Sequence, residues 1–92
     1  MYKNVTWRGN AKQWIRNAAA QGIPTGNTPY AGAIIQFSGG EYNPYYGHVG
    51  IVVAVEGDEL VIKDMNYRAL NEVTVRRIDR DDPAIDGYIY VD

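Results

Sequence analysis

The chain has 92 residues, so we expect one domain, residues 1–92, with a single small core. Hydrophobic residues make up 46% and charged residues 22%, which argues against a disordered or fibrous protein. The net charge of -2 provides no basic surface for nucleic acid, and no apolar run approaches the roughly 20 residues of a membrane span.

A helix is predicted near the N-terminus. Asn10 is a typical N-cap, and Gly22 stands where helices commonly end. Apolar side chains between them have the spacing of one helical face: Ala11, Trp14, Ile15, Ala18 and Ala19. We therefore predict a helix over residues 11–21 that packs on a sheet.

The remaining sequence alternates short β-favouring runs with turn residues. The predicted strands cover residues 31–37, 48–55, 60–65, 73–78 and 88–91. Asp82-Pro83 and Asp86-Gly87 bracket the last predicted turn. One helix followed by about five antiparallel strands predicts an α+β fold in which the helix covers one face of the sheet.

Aromatic residues are the candidate binding groups. The longest loop, residues 38–46, is rich in glycine and tyrosine, and loops of this kind often carry binding contacts. We assign Tyr42, Tyr45 and Tyr46 to binding, together with Trp7 ahead of the helix. The alternative, that the tyrosines only cap a thin core, remains equally open.

Charged residues give few further candidates. Arg76, Arg77 and Arg80 alternate with aspartates, which predicts a solvated strand end. One histidine and scattered carboxylates lack the close ligand spacing that zinc requires, so we predict no metal site and no cofactor. Residues 1–6 lack the apolar run of a secretion signal, which favours a cytoplasmic location unless another route exports the protein.

His48, the only histidine, opens one predicted strand, and the next strand ends near Asp64 and Asn66. Side chains alternate between the two faces along a strand. His48, Asp64 and Asn66 therefore share a face only if the residue numbers of each cross-strand pair add up to an even number. A three-residue turn at 56–58 meets this condition by pairing His48 with Asn66 and Gly50 with Asp64. A two-residue turn would send His48 and Asp64 to opposite faces.

In the even register, Asp64 or Asn66 fixes the tautomer of His48 and leaves the other ring nitrogen free as a base. The alternative is that His48 only caps its strand, with Asn66 as partner. The sequence contains no cysteine, and therefore no thiol that such a base could activate.

Five segments occur in a recognisable order: TWRGNAKQWIRNAAAQG, GNTPYAGAIIQF, YYGHVGIVVAV, IKDMNY and GYIYV. Together they resemble CHAP domains, the cysteine, histidine-dependent amidohydrolases and peptidases. The resemblance covers about residues 5–91. It implies a papain-like or NlpC/P60-like α+β fold and a relation to enzymes that cut peptide or amide bonds in peptidoglycan.

The resemblance also implies roles for single residues. His48 of the GHV motif corresponds to the family's base, and Asp64 to its orienting acid, usually glutamate, in a motif that Asn66 completes. The nucleophilic cysteine of the family begins a helix upstream of a Trp-Gly-Asn-Ala motif, which here reads WRGNA at residues 7–11 with an inserted arginine. Six residues precede that motif and none is cysteine, so we expect a truncated CHAP domain without its nucleophile helix.

Three functions remain in competition. The favoured one is a non-catalytic, inhibitory or regulatory module, whose exposed sheet surface binds a protein partner or a second copy. The second is the C-terminal part of a split peptidoglycan hydrolase, with the cysteine on a companion segment. The third is a module that binds peptidoglycan without cutting it.

Overall fold

The computed structural model describes residues 2, 5–67 and 70–91. A 3₁₀ turn (Ala11–Gln13) leads into helix α1 (Trp14–Ala20), and six strands follow: β1 (Thr25–Gly26), β2 (Ile34–Phe37), β3 (His48–Glu56), β4 (Glu59–Met65), β5 (Val73–Asp79) and β6 (Ile85–Ile89). All strand pairs are antiparallel, in the order β1-β6-β2-β3-β4-β5. The prediction of one helix on an antiparallel sheet is confirmed.

Helix α1 ends as the sequence predicts. Gly22 has φ of 79°, and the N–H groups of Gly22 and Ile23 donate to the carbonyls of Ala19 and Ala18. This is the Schellman arrangement, which satisfies the last carbonyls of a helix. Ala19 is exposed, whereas Ala18 is fully buried and Trp14 and Ile15 are half-buried, so the buried stripe of the helix is narrower than predicted. Among the described residues, no helix is long and apolar enough to cross a membrane.

Two neighbouring strands at one end of the sheet differ from the prediction. The two-residue strand β1 was not predicted, and β6 starts at Ile85 rather than at residue 88. The dipeptide Asp86-Gly87 lies inside β6 because an irregularity in the β2–β6 pairing accommodates Gly87 at φ of 152°. The turn is instead made by Asp82, whose carbonyl accepts from the N–H of Ile85.

The β3–β4 hairpin also differs from its prediction. Glu56 pairs with Glu59, so the turn has two residues rather than three. A bulge between Val52 and Ala54 inserts one extra residue into β3 and restores the even register beyond it. Gly50 therefore lies opposite Asp64, as predicted, although the cause is the bulge and not the turn.

The two faces of the sheet carry separate apolar clusters. On the face covered by α1, the buried residues are Trp7, Ala18, Ile34 and Ile89. The opposite face holds the larger cluster, which includes Ile35, Phe37, Tyr42, Val52, Leu60, Ile62 and Tyr88. Since Phe37 pairs with His48, and Gly50 with both Ile35 and Asp64, the histidine and the aspartate lie on this second face.

Candidate active site around His48

The structure brings His48 and Asp64 together. Nε2 of His48 lies 2.8 Å from Oδ2 of Asp64, whose side chain is completely buried. Gly50 makes room for this contact, because a Cβ at that position would lie 3.2 Å from the Cβ of Asp64. Within the described part of the chain, Nδ1 of His48 makes no hydrogen bond, so this ring nitrogen is available for proton transfer.

Three donors converge on the Asp64 carboxylate. The hydroxyl of Thr74 donates to Oδ1 at 2.7 Å, and Nη2 of Arg76 donates to Oδ2 at 2.6 Å, next to His48. Burial by itself raises the pKa of Asp64, but the hydrogen bonds from His48, Arg76 and Thr74 outweigh burial and lower the pKa to about 2. The Asp64 carboxyl is therefore ionised at neutral pH.

Arg76 is the site residue that the sequence analysis missed. The prediction of a solvated arginine cluster was wrong for Arg76, whose side chain is 14% exposed, and holds for Arg77, which is exposed and paired with Glu56. Alternation along β5 places the two neighbours on opposite faces, with Arg76 on the face of Asp64. Alternation in "VTVRRID" separates the two arginines but does not identify the buried one, because the exposed Val73 and Val75 share the face of Arg77.

The guanidinium of Arg76 is held from several sides. Nη2 also donates to the Tyr42 hydroxyl at 3.2 Å, and the guanidinium carbon lies 3.5 Å from the ring centroid of Tyr67. Burial lowers the pKa of Arg76, but the hydrogen bonds to Asp64 and Tyr42 outweigh it and raise the pKa above its ordinary value. Arg76 is thus a fixed positive charge beside the His48–Asp64 pair.

Two tyrosines enclose the imidazole. Tyr42 stacks on His48 with ring centroids 5.4 Å apart, and Tyr67 is tilted against it at 6.0 Å. The Tyr67 hydroxyl donates to Glu41 at 2.7 Å, which raises the pKa of Tyr67 and ties the 38–47 loop to the segment after β4. Tyr42 is 5% exposed, so it supports the imidazole by packing and contributes only a small area to the cleft beside it.

Asn66 does not orient His48, contrary to one of the two predicted possibilities. Strand β4 ends at Met65, and Asn66 adopts a left-handed conformation with φ of 67°. Its side-chain oxygen accepts from the N–H of Asn71 at 2.5 Å. Asn66 therefore closes the turn after β4, and its side chain is used there.

A cleft of about 700 Å³ opens beside His48. Its described lining includes Tyr2, Glu41, Tyr42, Tyr46, Val49, Met65, Asn66, Tyr67 and Leu70. None of the described lining residues carries a thiol or an aliphatic hydroxyl. The structure thus presents a held imidazole at an open cleft, without an attacking group of its own among these residues.

The remaining predicted binding residues lie in different environments. Tyr46 is exposed and lines the cleft, whereas Tyr45 is exposed but does not line it. Trp7 is 4% exposed, packs edge-on against Trp14 under the helix and is not among the residues that line the cleft, so here it supports the core. Trp7 is buried because it belongs to the apolar cluster under the helix, against which Trp14 also packs.

A family model for the CHAP domain matches residues 1–66, which include His48 and Asp64. The chain belongs to the CHAP domain family. Over 87 residues it is 38% identical to the staphylococcal secretory antigen SsaA of Staphylococcus aureus, a match that covers 92% of this chain and 32% of the relative. This CHAP domain therefore spans about a third of the length of that curated relative.

Solved structures show the same fold. An N-acetylmuramoyl-L-alanine amidase from Staphylococcus aureus superposes with a TM-score of 0.82 at 27% identity, over 91% of this chain and 24% of the amidase. Ly7917, solved with the hydrolysing product of MDP, superposes with a TM-score of 0.75 at 31% identity, over 91% of this chain and 38% of Ly7917. The CHAP domain described above is thus related to amidases.

Proposed function

We propose that this CHAP domain binds a peptide arm of peptidoglycan in the His48 cleft and supplies the base for hydrolysis of an amide bond. The observation that carries the proposal is the imidazole itself: a buried carboxylate holds Nε2, and Nδ1 is left free beside an open cleft. The relation to an N-acetylmuramoyl-L-alanine amidase supports this substrate class. We further propose that residues 1–92 fold as one domain.

The arrangement assigns a role to each member. Nδ1 of His48 accepts the proton of the attacking group and later gives it to the leaving amine, while the Asp64 carboxylate stabilises the imidazolium formed between these steps. The attacking group is a thiol from a segment outside these 92 residues, since the sequence contains no cysteine. The isolated chain should therefore bind substrate without cutting it.

The cleft has the chemistry of a peptide site. Aromatic and aliphatic side chains, among them Tyr46, Tyr67 and Leu70, provide apolar surface for the substrate chain. Glu41 adds a carboxylate at the same cleft, where it favours an amine or amide N–H. A neutral or amine-bearing peptide fits this lining better than an anionic ligand.

The test is reconstitution with a cysteine-bearing N-terminal segment from another CHAP protein. The two polypeptides are mixed with a purified muropeptide, and the products are measured by mass spectrometry. We expect cleavage that is lost with His48→Ala in the domain and retained with Tyr45→Ala, which alters an exposed tyrosine outside the cleft. Cleavage that survives His48→Ala, or a domain to which muropeptide does not bind, would contradict the proposal.

A non-catalytic binding module is the second candidate, and exposed valines favour it. Val73 and Val75 of β5 are 47% and 66% exposed on the face opposite Asp64, and β5 is an edge strand. An apolar strand at a sheet edge is a surface on which a protein partner or a second copy can pair. A strictly monomeric chain in concentrated sedimentation experiments, with Val75→Lys causing no change, would count against this candidate.

A further inference from the structure

We propose that Arg76 is a positioning residue that shares the Asp64 carboxylate with His48 and thereby favours the neutral, proton-accepting imidazole. The contribution of this role to hydrolysis rests on the proposed function. The effect on the proton equilibrium of His48 requires neither a substrate nor a nucleophile. It follows from the convergence of two cationic or potentially cationic groups on one oxygen atom.

The geometry places both groups on Oδ2 of Asp64. Nε2 of His48 lies 2.8 Å from that oxygen, and Nη2 of Arg76 lies 2.6 Å from it. Nε of Arg76 makes a second contact with the same oxygen at 3.2 Å, so the guanidinium engages the carboxylate through two nitrogens. Because the guanidinium also lies against the ring of Tyr67, its orientation is fixed.

The charges predict the direction of the effect. A carboxylate next to a histidine stabilises the imidazolium when no other cation is present. Here the positive charge of Arg76 already offsets the negative charge of Asp64, so protonation of His48 leaves a net positive charge in a largely buried site. Arg76 therefore weakens the preference of His48 for the charged form.

Other ionisable groups near the ring do not replace this contact. The described titratable groups around His48 are Tyr2, Glu41, Tyr42, Asp64, Tyr67 and Arg76. Glu41 carries the other negative charge among them, and it accepts a hydrogen bond from the Tyr67 hydroxyl. The charged groups that meet at His48 are therefore Asp64, in direct contact, and Arg76, through the shared oxygen.

The chain offers a direct readout because it contains a single histidine. In a ¹⁵N-labelled sample, the ring nitrogen shifts report the ratio of imidazolium to imidazole at a fixed pH near 7. We expect this ratio to rise about tenfold in Arg76→Gln, since this variant leaves the negative charge of Asp64 in contact with His48 without an opposing cation. Arg76→Lys, which keeps the charge, should stay within a few-fold of the wild-type ratio.

Arg77→Gln is the matched control. Arg77 is the next residue of the same strand, but it is exposed on the other face and pairs with Glu56, so its loss should leave the ratio unchanged. A purely structural role for Arg76 would lower the stability of Arg76→Gln without changing the ratio in the folded fraction. An unchanged or lower ratio in folded Arg76→Gln overturns the proposal.

A wild-type measurement covers the case in which Arg76→Gln does not fold. The Nε–H resonance of Arg76 should move with pH in step with the His48 ring signals, because both groups contact the same oxygen. An Arg76 resonance that stays constant while His48 titrates would overturn the proposal. Neither measurement involves peptidoglycan, so failure here and failure of the proposed function are distinguishable.

Discussion

At the scale of single residues, the site depends on the Asp64 carboxylate, which three neighbouring side chains contact. Asp64 is fully buried, and its two oxygens accept hydrogen bonds from His48, Thr74 and Arg76. The sequence correctly placed His48 near Asp64, because both stand in recognisable motifs on neighbouring strands. The sequence analysis missed Arg76 because its contact with Asp64 depends on which face of β5 is buried. The aspartates that follow Arg76 in the sequence favoured a solvated strand end instead.

The Asp64 carboxyl should make folding stability depend on acid pH. Its pKa is lowered to about 2 in the folded chain, against about 3.9 when unfolded, so its stabilisation is complete above the unfolded value and is lost as the pH falls from about 4 to 2. We expect a loss of about 2 kcal/mol in wild type over this range that Asp64→Asn does not show. Urea unfolding at pH 6 and pH 2.5 measures it. Parallel losses in both proteins would show that Asp64 has no such role.

Gly50→Ala tests the space that the dyad needs. The added Cβ would lie 3.1 Å from the carbonyl oxygen of Lys63 and 3.2 Å from the Cβ of Asp64, so β4 must shift. We expect a destabilisation of about 1–3 kcal/mol and an altered His48 ring signal. Gly57→Asn is the control, because that turn position has open space and Asn tolerates its positive φ of 63°. A His48 signal identical to wild type in Gly50→Ala would contradict this role for Gly50.

At the scale of elements, the hairpin determines whether His48 meets Asp64. The even register was predicted correctly, but from a three-residue turn that does not exist. Turn residues such as Gly57 are visible in sequence, whereas the bulge at Val53 arises from pairing energies along the whole strand. Strand β1 was missed for a similar reason. Two residues show no periodicity in the sequence, and they form a strand because they pair with β6.

The bulge leads to a prediction for a deletion. Removal of one of the adjacent valines 52 and 53 lets β3 and β4 pair without a bulge, and Gly50 stays opposite Asp64. We expect the chain to fold and its free energy of unfolding to fall by no more than about 2 kcal/mol. The Nε2–H signal of His48 should be preserved. Deletion of Gly57 instead leaves one turn residue and should disrupt that signal. Loss of the signal in the valine deletion would mean that the bulge itself is required.

At the scale of the whole molecule, the cleft lies where the N-terminal segment meets the sheet. Helix α1 packs on one face through Ala18, whereas the cleft beside His48 is lined from both sides, by Ala11 of the 3₁₀ turn and Val49 as well as by Tyr67. A ligand in this cleft would therefore contact the segment that leads into the helix as well as the residues around His48. The family and the helix-on-sheet architecture followed from motifs spread along the sequence, whereas the edge strand β1 and the start of β6 did not.

Hydrolysis of a defined muropeptide by the purified 92-residue chain, with no other polypeptide present, tests the central claim most directly. Because the proposed base, His48, is held in place and a thiol is absent from these residues, we predict no product above the protein-free control, while the same muropeptide perturbs the His48 ring signals. Product formation by this chain alone, dependent on His48, would contradict the claim that the attacking group comes from elsewhere.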